Sequence, residues 1–145
     1  MAVTAKLYGN FLLKALNKEV DFDTDVIKLA LYTALTIDQD GDIYKADLTA
    51  TEVANGNGYT TGGATLANKS ITYDSGTNVI KLDADDVTWA AATITARYAV
   101  MYVATGVDGT SVLIGYIDFG QDMSSSNGDF KITWDAAGIA TITVS

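Results

Sequence analysis

Carboxylates at alternate positions, in Asp38-Gln39-Asp40-Gly41-Asp42, are the first pattern in this sequence with the makings of chemistry. Oxygen donors so spaced open a calcium loop of the EF-hand type. That loop then needs a glycine at its sixth position and a bidentate glutamate at its twelfth, where this chain has Ile43 and Thr49. The run therefore reads as a solvated acidic turn. A second acidic group, Asp83, Asp85 and Asp86, has the residue type for the carboxylate pair of a glycoside hydrolase. Nothing around it suggests a raised pKa, and three like charges in a turn ordinarily face water. Residues 56–63, GNGYTTGG, have the glycine content of a phosphate loop but neither its Lys-Ser/Thr ending nor a strand-to-helix context. Those glycines read as turn residues.

What is missing excludes more than what is present suggests. Histidine and cysteine are absent, and with them the commonest general base, the usual hydrolytic triad, thiolate nucleophiles and the commonest zinc ligands. No residue is assigned a catalytic, cofactor-binding or metal-binding role, and the expectation is a protein that is not an enzyme. Trp89, Trp134 and the eight tyrosines have the side chains of a sugar-binding face. Their alternation with polar residues instead predicts that most are core. Asn68-Lys69-Ser70 matches a glycosylation acceptor. The opening MAVTAKLYGNFLLKALNKE, broken by Lys6, Asn10 and Lys14, lacks a signal-peptide layout, so the match is expected to be idle.

The 145 residues, 48% apolar and 19% charged, suit one globular domain spanning 1–145. No run of about 18 apolar residues occurs to span a membrane. The formal charge of −9 repels phosphate backbones and anionic lipid, which argues against nucleic-acid and membrane partners. Sixteen aspartates against two glutamates favour turns and caps over helix interiors.

The elements that would position any site are mostly strands. Residues 93–105, TITARYAVMYVAT, are apolar on both faces of a period-two pattern and read as a central strand covered on both sides. Arg97, the single arginine, interrupts it. It needs a carboxylate partner, Asp86 or Asp118, or a place in an interface. Residues 4–17 predict a helix with Thr4 as N-cap, Lys6, Asn10 and Lys14 on its polar stripe and Leu7, Phe11 and Leu12 opposite. It would close one end of a sandwich or grip a neighbouring subunit. Strands are predicted over 26–33, 64–73, 79–82, 87–91 and 112–119. Residues 36–63 read as an irregular loop region with a helical turn over 48–53 capped by Asp47, and 121–129 as a loop. The chain should end in a hairpin of 130–134 and 139–144. Seven to nine strands predict a mainly β fold: an antiparallel β-sandwich or jelly roll with one N-terminal α-helix.

The runs DDVTWAAATITARYAVMYVATG, LIGYIDFG and SSSNGDFKITWDAAGIATITV, with the opening MAVTAKLYGNFLLKALNKEVDFDTDVIKLALYT, resemble a family of small virion structural proteins of tailed bacteriophages. The resemblance covers nearly the whole chain, residues 36–63 least well, and brings no catalytic motif. It implies a capsid decoration or cement protein that binds the phage major capsid protein or other virion proteins as a homo-oligomer. The alternative it leaves is a tail or head-fibre component binding host-surface carbohydrate. Either way the protein would be assembled into the virion in the bacterial cytoplasm.

Overall fold

The computed structural model describes residues 2–145. Its largest sheet runs in the order β1 (Thr4–Leu7), β9 (Leu113–Ser124), β8 (Thr95–Val103), β2 (Ile27–Thr36) and β3 (Thr49–Glu52), with β4 (Ala64–Thr65) also on β2. Two smaller sheets are built from β5 (Ser70–Asp74), β6 (Val79–Asp83) and β11 (Ala140–Thr143), and from β7 (Val87–Ala92) and β10 (Gly128–Ile132). Every ladder is antiparallel. The fold is mainly β, consistent with the expected sandwich.

The period-two pattern of β8 sorts its side chains. Opposed residues in an antiparallel ladder point to the same face. Ala99, Met101 and Val103 therefore share a face with Leu31, Leu29 and Ile27 of β2, opposite which they pair. These residues pack with Leu82, Val87, Trp89, Phe130 and Ile132 of the smaller sheets in one buried cluster. Val100 and Tyr102 point the other way and join Tyr8, Ala30, Tyr32, Leu35, Leu113 and Tyr116 in a second cluster. A strand walled in on both sides is why 93–105 shows no polar face.

Several predicted elements take other forms. The helix expected over 4–17 is a strand followed by a short helix, α1 (Phe11–Leu16). Thr4, Ala5, Lys6 and Leu7 pair with Asp118, Ile117, Tyr116 and Gly115 at the edge of the large sheet. The gain from completing that ladder outweighs a helical preference of a few tenths of a kcal/mol per residue. Asn10, not Thr4, is the N-cap residue, and its side-chain amide donates to Asp40 O at 3.1 Å. Tyr8 and Phe11 are buried, one in each cluster, so this segment is part of the core.

The helical turn expected over 48–53 is instead the strand β3, with a single 3₁₀ turn before it at Lys45–Asp47. Asp47 caps backward: its Oδ2 accepts from the backbone N–H groups of Ile43 and Tyr44. The loop expected at 121–129 shrinks to three residues, since β9 runs to Ser124 and β10 starts at Gly128. The terminal hairpin does not form. β10 pairs with β7 and β11 with β6, although Asp135 and Gly138 do close the predicted turn.

Candidate functional site

The acidic turn at 38–42 is a docked corner. Asp38 Oδ1 accepts from Gly41 N–H at 2.8 Å, and Asp42 N–H donates to Asp38 O. Gln39 holds the β1–α1 junction, its Nε2 donating to Leu7 O and its carbonyl accepting from Gly9 N–H. Asp42 is buried, and its Oδ2 has no hydrogen-bond partner. Burial pushes its carboxyl above the usual carboxylate range. Among the described residues, no three acidic side chains converge as metal ligands would.

The Asp83–Asp86 turn is ion-paired and laced to the chain's end. Asp83 meets Lys81 at 3.0 Å and Asp86 meets Lys131 at 3.1 Å. Asp86 Oδ1 accepts from Trp134 N–H, and Asp85 O from the Trp134 indole N–H. That backbone bond, with Lys131 beside it, holds the Asp86 carboxyl below its usual range. Asp85 Oδ2 accepts the Asn68 side-chain amide at 2.7 Å, so the glycosylation-like asparagine serves this turn. These carboxylates are joined to cations and amides and do not form an acid–base pair across a cleft.

Residues 56–63 are a backbone-packed loop. Gly63, at φ +83°, lies so close to Leu29 O that a Cβ there would overlap it. Tyr59 reaches from this loop into the gap between β3 and β4, where its hydroxyl accepts from Leu31 N–H at 3.0 Å and donates to Glu52 Oε1 at 2.7 Å. The same glutamate oxygen accepts from Gly62 N–H. The glycines serve conformation, as expected of turn residues, and at Gly58 and Gly63 also a close backbone approach that was not foreseen from the sequence.

Most aromatic side chains are structural. Trp89, Tyr8, Tyr32, Tyr59, Tyr102 and Tyr116 are buried. Trp134 is half-buried, and Tyr73 is exposed.

Arg97 takes Asp118 as its neighbour, Nε to Oδ1 at 3.6 Å, while Asp86 belongs to Lys131. The guanidinium is not interior: its side chain keeps 37% of its exposure and lies 5.6 Å from the Tyr98 ring centroid.

Two surface features were invisible in the sequence. One is a mostly apolar cleft between the β1 edge and the segment after β10, made of cavities of about 560 and 250 Å³ that share Ala5, Ile117, Trp134 and Ile139. The other is a groove of about 350 Å³ floored by β2 and β3 and walled by Arg97 and Tyr98. On α1, Leu12, Leu13 and Leu16 are 44%, 54% and 76% exposed. No helix is long and apolar enough to cross a membrane among the described residues.

The chain matches no family profile, no curated protein and no solved structure.

Proposed function

We propose that this protein is a structural component of a bacteriophage virion, a decoration or cement protein that binds the assembled head as a homo-oligomer. The observation that carries the reading, beside the sequence resemblance, is apolar surface presented by a rigid antiparallel body. The N-terminal segment contributes Val3 and Ala5 to the cleft, and α1 presents three exposed leucines. A cluster of exposed leucines such as Leu12, Leu13 and Leu16 marks a contact site more often than it serves a monomer. A scaffold with two clusters of buried side chains suits a part that must hold its shape within a lattice.

The reading of a tail or head-fibre component that grips carbohydrate through exposed aromatics is weakened, because six of the ten tryptophans and tyrosines are buried in the body. Antibody labelling of intact particles viewed by electron microscopy tests the assignment. Label over the whole head is expected; label confined to one tail end would overturn it. Leu13→Asp combined with Leu16→Asp alters exposed positions that line no cavity, so the variant should fold and add poorly to heads.

A further inference from the structure

The geometry points to a binding site for a carboxylate-bearing sugar, such as a uronic acid, in the groove of Arg97 and Tyr98. The groove exists because two ladders break side by side. The β2–β3 register shifts between Tyr32 and Ala34, and the β8–β9 register shifts between Ala96 and Tyr98. Such bulges re-aim side chains and recur beside functional sites. Here they place Arg97 at the rim of a depression lined by Thr33, Thr36, Thr49 and Thr51.

Its electrostatics are unlike those of the rest of the chain. The protein carries 18 acidic residues, yet none lines this groove, and its one charged wall residue is the arginine. The guanidinium is also underused. Its Nε is shielded from solvent with no hydrogen-bond partner, and Asp118 at 3.6 Å is beyond hydrogen-bond reach. Asp118 Oδ1 is meanwhile committed to Gly120 N–H at 2.8 Å. A planar fork with donors to spare fits a carboxylate's two oxygens. Because Asp118 already offsets part of the guanidinium's charge, the groove suits a ligand with a single negative charge. A phosphate monoester, at about −1.5 to −2, would leave excess negative charge. The Thr33 hydroxyl donates to Thr51 O at 3.2 Å and can still accept, while the exposed hydroxyls of Thr36, Thr49 and Thr51 can donate and accept toward the polyol part of the ligand. A volume of about 350 Å³ lies at the small end of ligand clefts, the size class of one or two sugar rings.

This inference is independent of where in a particle the protein sits. The test is an NMR titration of the full chain with D-galacturonate, D-galactose, acetate and glucose 6-phosphate in parallel, following the Arg97 Nε–H and the amides of Thr33, Thr49 and Thr51. Galacturonate should give saturable shifts at these signals, with galactose and acetate each at least about tenfold weaker, the scale of one charge-assisted hydrogen-bonding contact. Arg97→Gln should abolish the shifts, and Arg97→Lys should recover only part of the affinity. Thr49→Val, at an exposed position, should weaken galacturonate but leave acetate unchanged, which keeps the test decisive if an Arg97 variant folds poorly. Equal affinity for galactose, tighter binding of the sugar phosphate, shifts that ignore Arg97 and Thr49, or no shift with galacturonate would each overturn the assignment.

Discussion

Both faces of the large sheet carry buried side chains, but they are differently covered. One face, with Ile27, Leu29, Leu31, Ala99, Met101 and Ile114, packs against the two smaller sheets. The other, with Tyr32, Val100, Tyr102, Leu113 and Tyr116, lies with Ile37, Leu48 and Ala104 of the connecting segments. Sheets bring a backbone that already satisfies its own polar groups. Connecting segments do not, so tyrosine, which joins a large apolar ring to a hydroxyl, suits the second face. Tyr102 shows this: its hydroxyl donates to Gly62 O at 2.7 Å, and Lys45 Nζ stands 5.3 Å from its ring centroid. The lesson is that burial on both faces need not mean equal cooperativity. The loop-covered side should open locally at lower free energy than the sheet-covered side.

Adjacent residues of β9 give the largest and most direct test. Leu113 and Ile114 are each 1% exposed and face opposite sides. Ile114→Ala should cost toward the upper end of the usual about 2–5 kcal/mol, because two hydrogen-bonded sheets cannot collapse into the cavity. Leu113→Ala should fall toward the lower end, since loops relax more readily. Urea unfolding measures both, and equal losses would break the comparison.

Gly63→Ala should follow, at about 3 kcal/mol, combining a strained positive φ with overlap against Leu29 O. Hydrogen exchange sharpens the reading. Amides of 53–63 should lose protection in this variant while those of β8 keep theirs; uniform loss would mean that the loop and the sheet unfold as one unit.

Tyr102→Phe should cost about 1 kcal/mol, the net worth of one hydrogen bond. It carries a pH signature as well. Burial pushes the Tyr102 hydroxyl up to about 12, so the fold favours its neutral form. That contribution is complete below the ordinary tyrosine pKa near 10 and is lost as pH rises from there toward 12. Thermal melts between these limits should fall less steeply for Tyr102→Phe than for the wild type.

Legibility from sequence follows the same division. Strands β2 and β8 could be read because burial on both faces leaves an apolar run with no polar stripe. The edge strand β1 could not: Thr4-Ala5-Lys6-Leu7 fits a helical period as well as a strand, and only its pairing with β9 decides. The terminal hairpin failed because alternation in 130–134 and 139–144 shows that strands exist without naming their partners. For Arg97 the sequence narrowed the neighbour to Asp86 or Asp118, and the register of β8 on β9, which sets Tyr98 opposite Asp118, chose between them. The groove was hidden because it depends on two bulges, and bulges leave no periodic trace.

Asp42 gives the smallest effect and the finest probe of the loop-covered side. Its buried Oδ2 lacks a partner, and the nearby Tyr8 hydroxyl lacks one too. Desolvation raises the Asp42 pKa, so the folded state favours the protonated acid. The sign is therefore opposite to that of a salt-bridged aspartate. No cost is present below the unfolded pKa near 4, and a destabilisation develops as pH rises through the higher folded value. Asp42→Asn removes the charge while keeping shape and the backbone bond to Asp38 O. It should stabilise the protein at pH 7 by an amount at or below about 1 kcal/mol, the scale of ordinary polar substitutions. The advantage should vanish below pH 4. A variant less stable at pH 7 would mean that the ionised carboxylate is held by something its neighbours do not reveal, and that this corner is better satisfied than its geometry indicates.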